Sequence, residues 1–269
     1  MSEKAALTPF FDALETRSPE AREAQLMAVL PEHIAHATQH APGFAKILAG
    51  VEPRSVNSRA ALAKLPVTRK SDLGELQKRT PPLGGLNATP VEKLAKVFVS
   101  PGPLYEPEGQ GANWWRTARG LFAGGFRAGD LIANTFAYHF TPAGSMLESG
   151  AMALGCTVVP TGVGQTEMQV ATLRDLRIGG FIGTPSFLKL IVEKADELKT
   201  DLPALKKAHV GAEYLPPALR KTMGERGIRV TQSYATADLG LLAYESLSPD
   251  GVVNEGMILE ENLILEIVR

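Results

Sequence analysis

The stretch R-V-T-Q-S-Y-A-T-A-D-L-G-L-L-A-Y, Arg229 to Tyr244, decides the fold. It opens on a short β-branched run, passes Tyr234, and drops through small residues to a carboxylate, Asp238, ahead of Gly240. A strand that ends this way delivers a reactive loop. Upstream, short apolar runs recur: A-K-V-F-V-S, L-I-A-N-T-F, C-T-V-V-P, G-G-F-I-G, K-A-H-V-G and I-R-V-T-Q-S. Between them lie helical stretches starting near Gly111, Pro142, Thr166, Pro185 and Pro216. Thr166 with Gln169 fits a capping box, and Thr184 before Pro185 fits a cap followed by an N1 proline. This alternation predicts an α/β fold, a mostly parallel sheet flanked by helices over residues 91–245. Ligands of such sheets bind beyond the carboxyl ends of the strands, here the loops after Val99, Thr135, Ile182, Val210 and Ser233.

Residues 1–90 read as a helical lead segment. Ser18-Pro19-Glu20 starts a long helix that Ala41-Pro42-Gly43 stops, and Ser58, Lys70 and Ser71 begin shorter ones. Pro81-Pro82 and Gly84-Gly85 make the strongest break in the chain and mark a subdomain boundary. From 246 to 269 the pattern alternates without helical period, predicting the start of an antiparallel β meander with Ser248-Pro249-Asp250-Gly251 as a turn. It stops at Ile267-Val268-Arg269, in mid-strand, which reads as truncation. A truncated chain would expose surface normally covered, which leaves a homodimer open.

Composition narrows the class. Lys plus Arg number 28 against 29 Asp plus Glu in 269 residues, a formal net charge of −1, so no basic footprint points to nucleic acid. No apolar run approaches the roughly 20 residues needed to cross a bilayer, and the start carries no secretory h-region, giving a cytoplasmic expectation. The single cysteine, Cys156, sits in an apolar run and reads as a buried thiol. His33, His36 and His40 share one helical face without an acidic or Cys partner and read as a partly solvated polar face rather than a metal site. No Walker-type phosphate loop, dinucleotide fingerprint or G-x-S-x-G elbow is present.

Two loops carry candidate chemistry. In F-A-Y-H-F-T-P-A-G, His139 follows an apolar strand between Tyr138 and Phe140: one polar group in an aromatic wall, or a satisfied histidine beneath a loop. Glu213 and Asp238 each follow a strand, with one helix between, and right-handed crossover brings both to one rim. There they hold Mg²⁺ and position a nucleotide, or serve as helix caps or surface charges.

These motifs resemble the adenylate-forming enzymes, closest to the phenylacetate-CoA ligase branch. The counterparts come in family order: Val99-Ser100-Pro101-Gly102 for the phosphate loop, Tyr138 to Gly144 for the acyl loop, Gly164 to Gln169, Thr184-Pro185-Ser186, Gly211-Ala212-Glu213, and Tyr234-Ala235-Thr236-Ala237-Asp238. The resemblance implies a carboxylic, aryl-type acid converted with ATP to an acyl-adenylate and then, with coenzyme A, to a thioester. It places Ser100, Gly102, Gly211, Ala212, Glu213, Tyr234 and Ala235 on the nucleotide, and Tyr138, His139, Phe140, Gly144 and Pro185 around the acyl group. Thr236 and Asp238 fall in the catalytic motif, with Asp238 as the Mg²⁺ ligand. Three departures stand out. The phosphate loop reads S-P-G-P-L-Y-E-P-E, in which prolines remove N–H donors and Glu106 and Glu108 would repel phosphate. The family's motif Thr and Glu become Ala237 and Asp238. The small C-terminal domain with its lysine is absent from this sequence. The alternative is a ligase-derived domain that has lost ATP chemistry and serves binding; an unrelated doubly wound enzyme would show a different sheet order.

Overall fold

The computed structural model describes residues 9–267. They form two compact units: one of residues 17–111 with the segment after Glu260, the other of 112–260 with the segment up to Thr16.

In the first unit, Ser18 accepts a hydrogen bond from the Ala21 N–H at 3.2 Å and starts α1, Pro19–His40. Its buried stripe is Leu26, Leu30 and Ile34, spaced at i, i+4, i+8. α1 stops at Ala41-Pro42-Gly43 as expected, with Ala41 extended, and α2, Pro42–Ile47, starts at once, because a proline lacking an N–H is well suited to a first helical turn. Then come α3, Arg59–Leu62, capped by Ser58, and α4, Lys70–Arg79. Leu30, Ile34, Leu48 and Val56 make the core, joined by Phe44 and Ile264.

The run K-V-F-V-S departs from expectation. It is β1, Lys96–Ser100, and pairs antiparallel with β2, Leu104–Glu108, in a separate two-stranded hairpin rather than in the parallel sheet. Gln77 on α4 fastens the hairpin, donating to the Tyr105 carbonyl at 2.8 Å and accepting from its N–H at 2.9 Å. The compact units divide after Gly111.

The second unit is the α/β body. After α5, Thr117–Ala123, come β3, Leu131–Asn134, α6, Ala143–Ala153, and β4, Thr157–Val159. Next are α7, Thr166–Asp175, β5, Gly180–Gly183, α8, Pro185–Glu197, β6, Lys207–Val210, α9, Pro217–Glu225, and β7, Arg229–Thr236. The seven-stranded sheet runs β4-β3-β5-β6-β7, all parallel, then β8, Gly240–Tyr244, and β9, Ile258–Leu259, both antiparallel. Its core packs Phe181, Ile191, Val210 and Val230 with α7, α8 and α9. Thr184 accepts from the Phe187 N–H at 3.2 Å and caps α8 as its sequence predicts. Thr166 does not cap α7. The cap is Gln165, in the left-handed region at φ 47°, and the Gln169 amide donates to the carbonyls of Gly162 and Gly164, each at 2.8 Å. The meander is shorter than expected, with only Ile258–Leu259 continuing the sheet and no regular structure over 263–267; Val268 and Arg269 lie outside the described residues. Cys156 is buried, its thiol donating to the Arg127 carbonyl at 3.3 Å, and burial pushes its pKa up to about 11. Among the described residues, no helix is long and apolar enough to cross a membrane.

Candidate functional site

At the carboxyl end of β6 the chain turns through Gly211 and Ala212. The Gly211 N–H donates to the Gly183 carbonyl on the neighbouring strand at 3.1 Å, and Ala212 takes a left-handed φ of 65°. Next to it, β7 pairs parallel with β6 as far as Gln232, then from Ser233 pairs antiparallel with β8. A register irregularity at Tyr234/Ala235 accommodates the change, and bulges of this kind re-aim side chains beside functional sites. The returning turn is fixed by the Leu239 N–H donating to the Thr236 hydroxyl at 3.2 Å. It is also fixed by Gly240, whose φ is 71° and where a Cβ would lie 2.6 Å from the Trp115 carbonyl.

The loop after β3 is organised by Asn134, whose amide donates at 2.8 Å both to the Gly144 carbonyl and to the Tyr138 hydroxyl. The Tyr138 hydroxyl donates in turn to Glu148 at 3.3 Å; burial, then the Glu148 charge, raises its pKa above the ordinary value. Gly144 has no room for a Cβ, which would sit 2.6 Å from the Ala137 carbonyl.

These loops enclose a pocket of about 130 Å³. Phe136, Met146 and Leu147 give an apolar wall, with Pro142 and Ala143. Opposite lie Gly211 and Ala212 from one turn, and Ser233, Ala235, Thr236 and Ala237 from the other. The polar floor is His209 on β6. Its Nδ1 lies 3.0 Å from the Thr231 hydroxyl, its register partner on β7, and burial pushes its pKa down to about 4, so the ring is neutral. Gly124, at the end of α5, backs this pair: a Cβ there would lie 2.6 Å from the Thr231 oxygen and 3.3 Å from the His209 Nδ1.

Residues 111–258, more than half of the chain, match the sequence model of the AMP-binding enzymes. This chain belongs to the AMP-binding enzyme family. Its curated relatives include the phenylacetate-coenzyme A ligase of Aromatoleum evansii, 32% identical over 85% of this chain and 53% of that protein. The enzyme of the same name from Thermus thermophilus is 32% identical over 84% of this chain and 52% of that protein. The chain thus spans about half the length of the curated relatives it matches. In fold, it matches an open conformation of 2-hydroxyisobutyryl-CoA ligase in complex with 2-HIB-AMP and CoA, with a TM-score of 0.77 at 24% identity over 84% of this chain and 53% of that one.

Within this chain the residues read from the sequence sort unevenly. Gly211, Ala212, Ala235 and Thr236 come together at the pocket. Glu213 does not join them. Its carboxylate accepts from the Ser186 N–H at 3.2 Å and the Ser186 hydroxyl at 2.9 Å, at the first turn of α8, where helix-terminal N–H groups favour a negative charge. With Pro185 it lines a second cavity of about 500 Å³. Asp238 is exposed, next to Ala237. The two turns therefore share one crevice, but neither carboxylate lines it. Tyr138, His139 and Phe140 are absent from the pocket lining; His139 and Phe140 are exposed, as is Tyr234. Gly144 sits beneath the loop rather than in the wall. Ser100 and Gly102 belong to the other compact unit and fall outside the matched residues. There the buried Ser100 hydroxyl donates to Glu106 at 2.7 Å.

The sequence reading passed over His209, Ser233, Phe136, Met146 and Leu147. His209 had a usable signal. Pairing K-A-H-V with R-V-T-Q in parallel sets His209 against Thr231, two polar side chains on one buried stretch of sheet next to a Gly-Ala turn.

Proposed function

We propose that this chain is the nucleotide- and acyl-binding part of an acid–CoA ligase. The carrying observation is that the turns after β6 and β7, Gly211-Ala212 and Ala235-Thr236-Ala237, line one pocket against the apolar face of α6. In this reading the acid's carboxylate oxygen attacks the α-phosphorus of ATP, the bond to pyrophosphate breaks, and an acyl-adenylate forms. The coenzyme A sulfur then attacks the acyl carbon, the bond to AMP breaks, and the thiol proton is lost. The chain's own contribution is positioning: backbone turns hold the adenylate, and the α6 wall keeps water from the activated carbonyl. An aryl or similarly compact acid fits an apolar wall of this size.

Magnesium is implied by the family resemblance. Among the described residues no group of three or more His, Cys, Asp or Glu could hold a metal ion, so an all-protein cage does not fit. One carboxylate, Asp238, with substrate phosphates supplying further oxygens does fit the way Mg²⁺ accompanies nucleotides. Bound there, the ion would neutralise phosphate charge.

A second reading is favoured by the hairpin. Ser100, the hydroxyl expected to meet phosphate, is already engaged by buried Glu106. A chain that holds an adenylate but not a triphosphate would have kept binding and lost the first chemical step. Titration calorimetry of the full chain with AMP, Mg·ATP and phenylacetyl sulfamoyl adenosine tests both readings. We expect the adenylate analogue to bind in every case. Binding of Mg·ATP selects the ligase, its absence selects the binding domain, and failure of all three ligands overturns both.

A further inference from the structure

His209 is the one side chain of the pocket that is both titratable and buried. Three observations define its position. Its Nδ1 is taken up by Thr231, and its other ring nitrogen, Nε2, has no hydrogen-bond partner among the described residues. It lines a pocket together with Phe136, Met146 and Leu147, which offer no polar side-chain atom apart from the Met146 thioether. The ring cannot be displaced backward, because the space behind it is closed by Thr231 and by the end of α5 at Gly124.

A ligand that fills the pocket strips water from Nε2, a cost in free energy that it recovers if it brings a hydrogen bond of its own. A ligand lacking that group leaves the atom dry and unpaired. Sites built in this way reject the deficient analogue far more strongly than an apolar wall rejects a wrong shape. Whichever nitrogen carries the proton, Nε2 presents one fixed point, a donor if protonated and an acceptor if not. The small volume, about 130 Å³, admits a compact acyl group.

We infer that His209 is a specificity-determining residue, and that the acid taken by this pocket carries a hydroxyl or amino group at the end remote from its carboxylate, placed to meet Nε2. This rests on the adenylate reading of the site and narrows its substrate class. It also moves the polar determinant from the exposed loop residue His139 to the pocket floor.

The test uses the full chain and pairs of acyl sulfamoyl adenosines, from short aliphatic and single-ring acids, in which a terminal hydroxyl is exchanged for a methyl of similar size. We expect at least one hydroxyl-bearing ligand to bind more tightly than its methyl partner by at least about tenfold. In His209→Leu that preference should vanish while the methyl ligand binds as well or better, and His209→Gln should retain part of it. Equal affinities across all pairs in the wild-type chain overturn the inference, as does a preference that survives in His209→Leu. If His209→Leu fails to fold, the wild-type ratios and the Gln variant decide. Methyl and hydroxyl ligands that all bind, without discrimination, defeat this inference alone; ligands that all fail to bind defeat the adenylate reading with it.

Discussion

The hairpin of β1 and β2 and the rim formed after β6 and β7 are both strand-reversing or strand-leaving turns built of small residues. One is filled by its own side chains and the other holds a pocket. In the hairpin, Glu106 and Glu108 are buried, with Ser100 and Lys70 on the first and Lys96 on the second, so the anion-binding capacity of the turn is already used. At the rim, the corresponding carboxylate of Glu213 is drawn off to the first turn of α8, and Gly211, Ala212, Ala235 and Ala237 leave space. Small residues in a loop are therefore not enough to make a ligand site. What decides is whether a nearby charged group of the same chain occupies the space or is held elsewhere.

That contrast can be broken in graded steps. The largest effect should come from filling the rim: Ala235→Trp should weaken binding of an acyl sulfamoyl adenosine by about a thousandfold, roughly 4 kcal/mol, by calorimetry. The melting temperature should stay close to that of the wild type. An unchanged affinity would remove the rim from the binding site.

Acid comes next. His209 has its folded-state pKa lowered to about 4, against about 6.5 when unfolded, so between these values the unfolded chain binds more protons and stability falls as the pH drops. The loss should approach about 3 kcal/mol by pH 4. Because carboxylates also titrate in this window, the measurement is the difference in urea midpoint between wild type and His209→Gln across that pH range. Parallel curves would show that the histidine is not held neutral.

Ser100→Ala in the hairpin should cost about 2 kcal/mol of stability, since it strips a hydrogen bond from a buried charged group, and should leave adenylate affinity unchanged. A drop in affinity instead would return the hairpin to the nucleotide site. The smallest effect is expected for Glu213→Gln, about 0.5 kcal/mol by chemical denaturation, because the exposed carboxylate meets a helix start in water.

The body of the fold was legible. Five apolar runs separated by helix starts gave the parallel sheet, and Ser18, Ser58 and Thr184 signalled their caps through residue type alone. K-V-F-V-S misled because an apolar run of this length reads the same in a hairpin and in a buried parallel strand; only the partner differs, and the partner here is β2, the next segment of the chain. Thr166 misled because a helix can be capped by a backbone conformation, that of Gln165, with no side-chain signal. In the site, backbone positions such as Gly211 and Ala235 were readable from motif order. The direction of Glu213 was not, because it depends on the Ser186 groups, brought close only by the sheet. His209 was missed because a histidine within an apolar strand reads as core until its register partner is known.

Gly124, at the end of α5, leaves room for the Thr231 hydroxyl and the His209 imidazole. A single added methyl there would press first on the Thr231 hydroxyl, at 2.6 Å, and then on the imidazole Nδ1, at 3.3 Å. On the adenylate reading of the pocket, selectivity would thus be open to retuning from a position behind the pocket lining, and a search for altered preference confined to ligand-facing residues would overlook it.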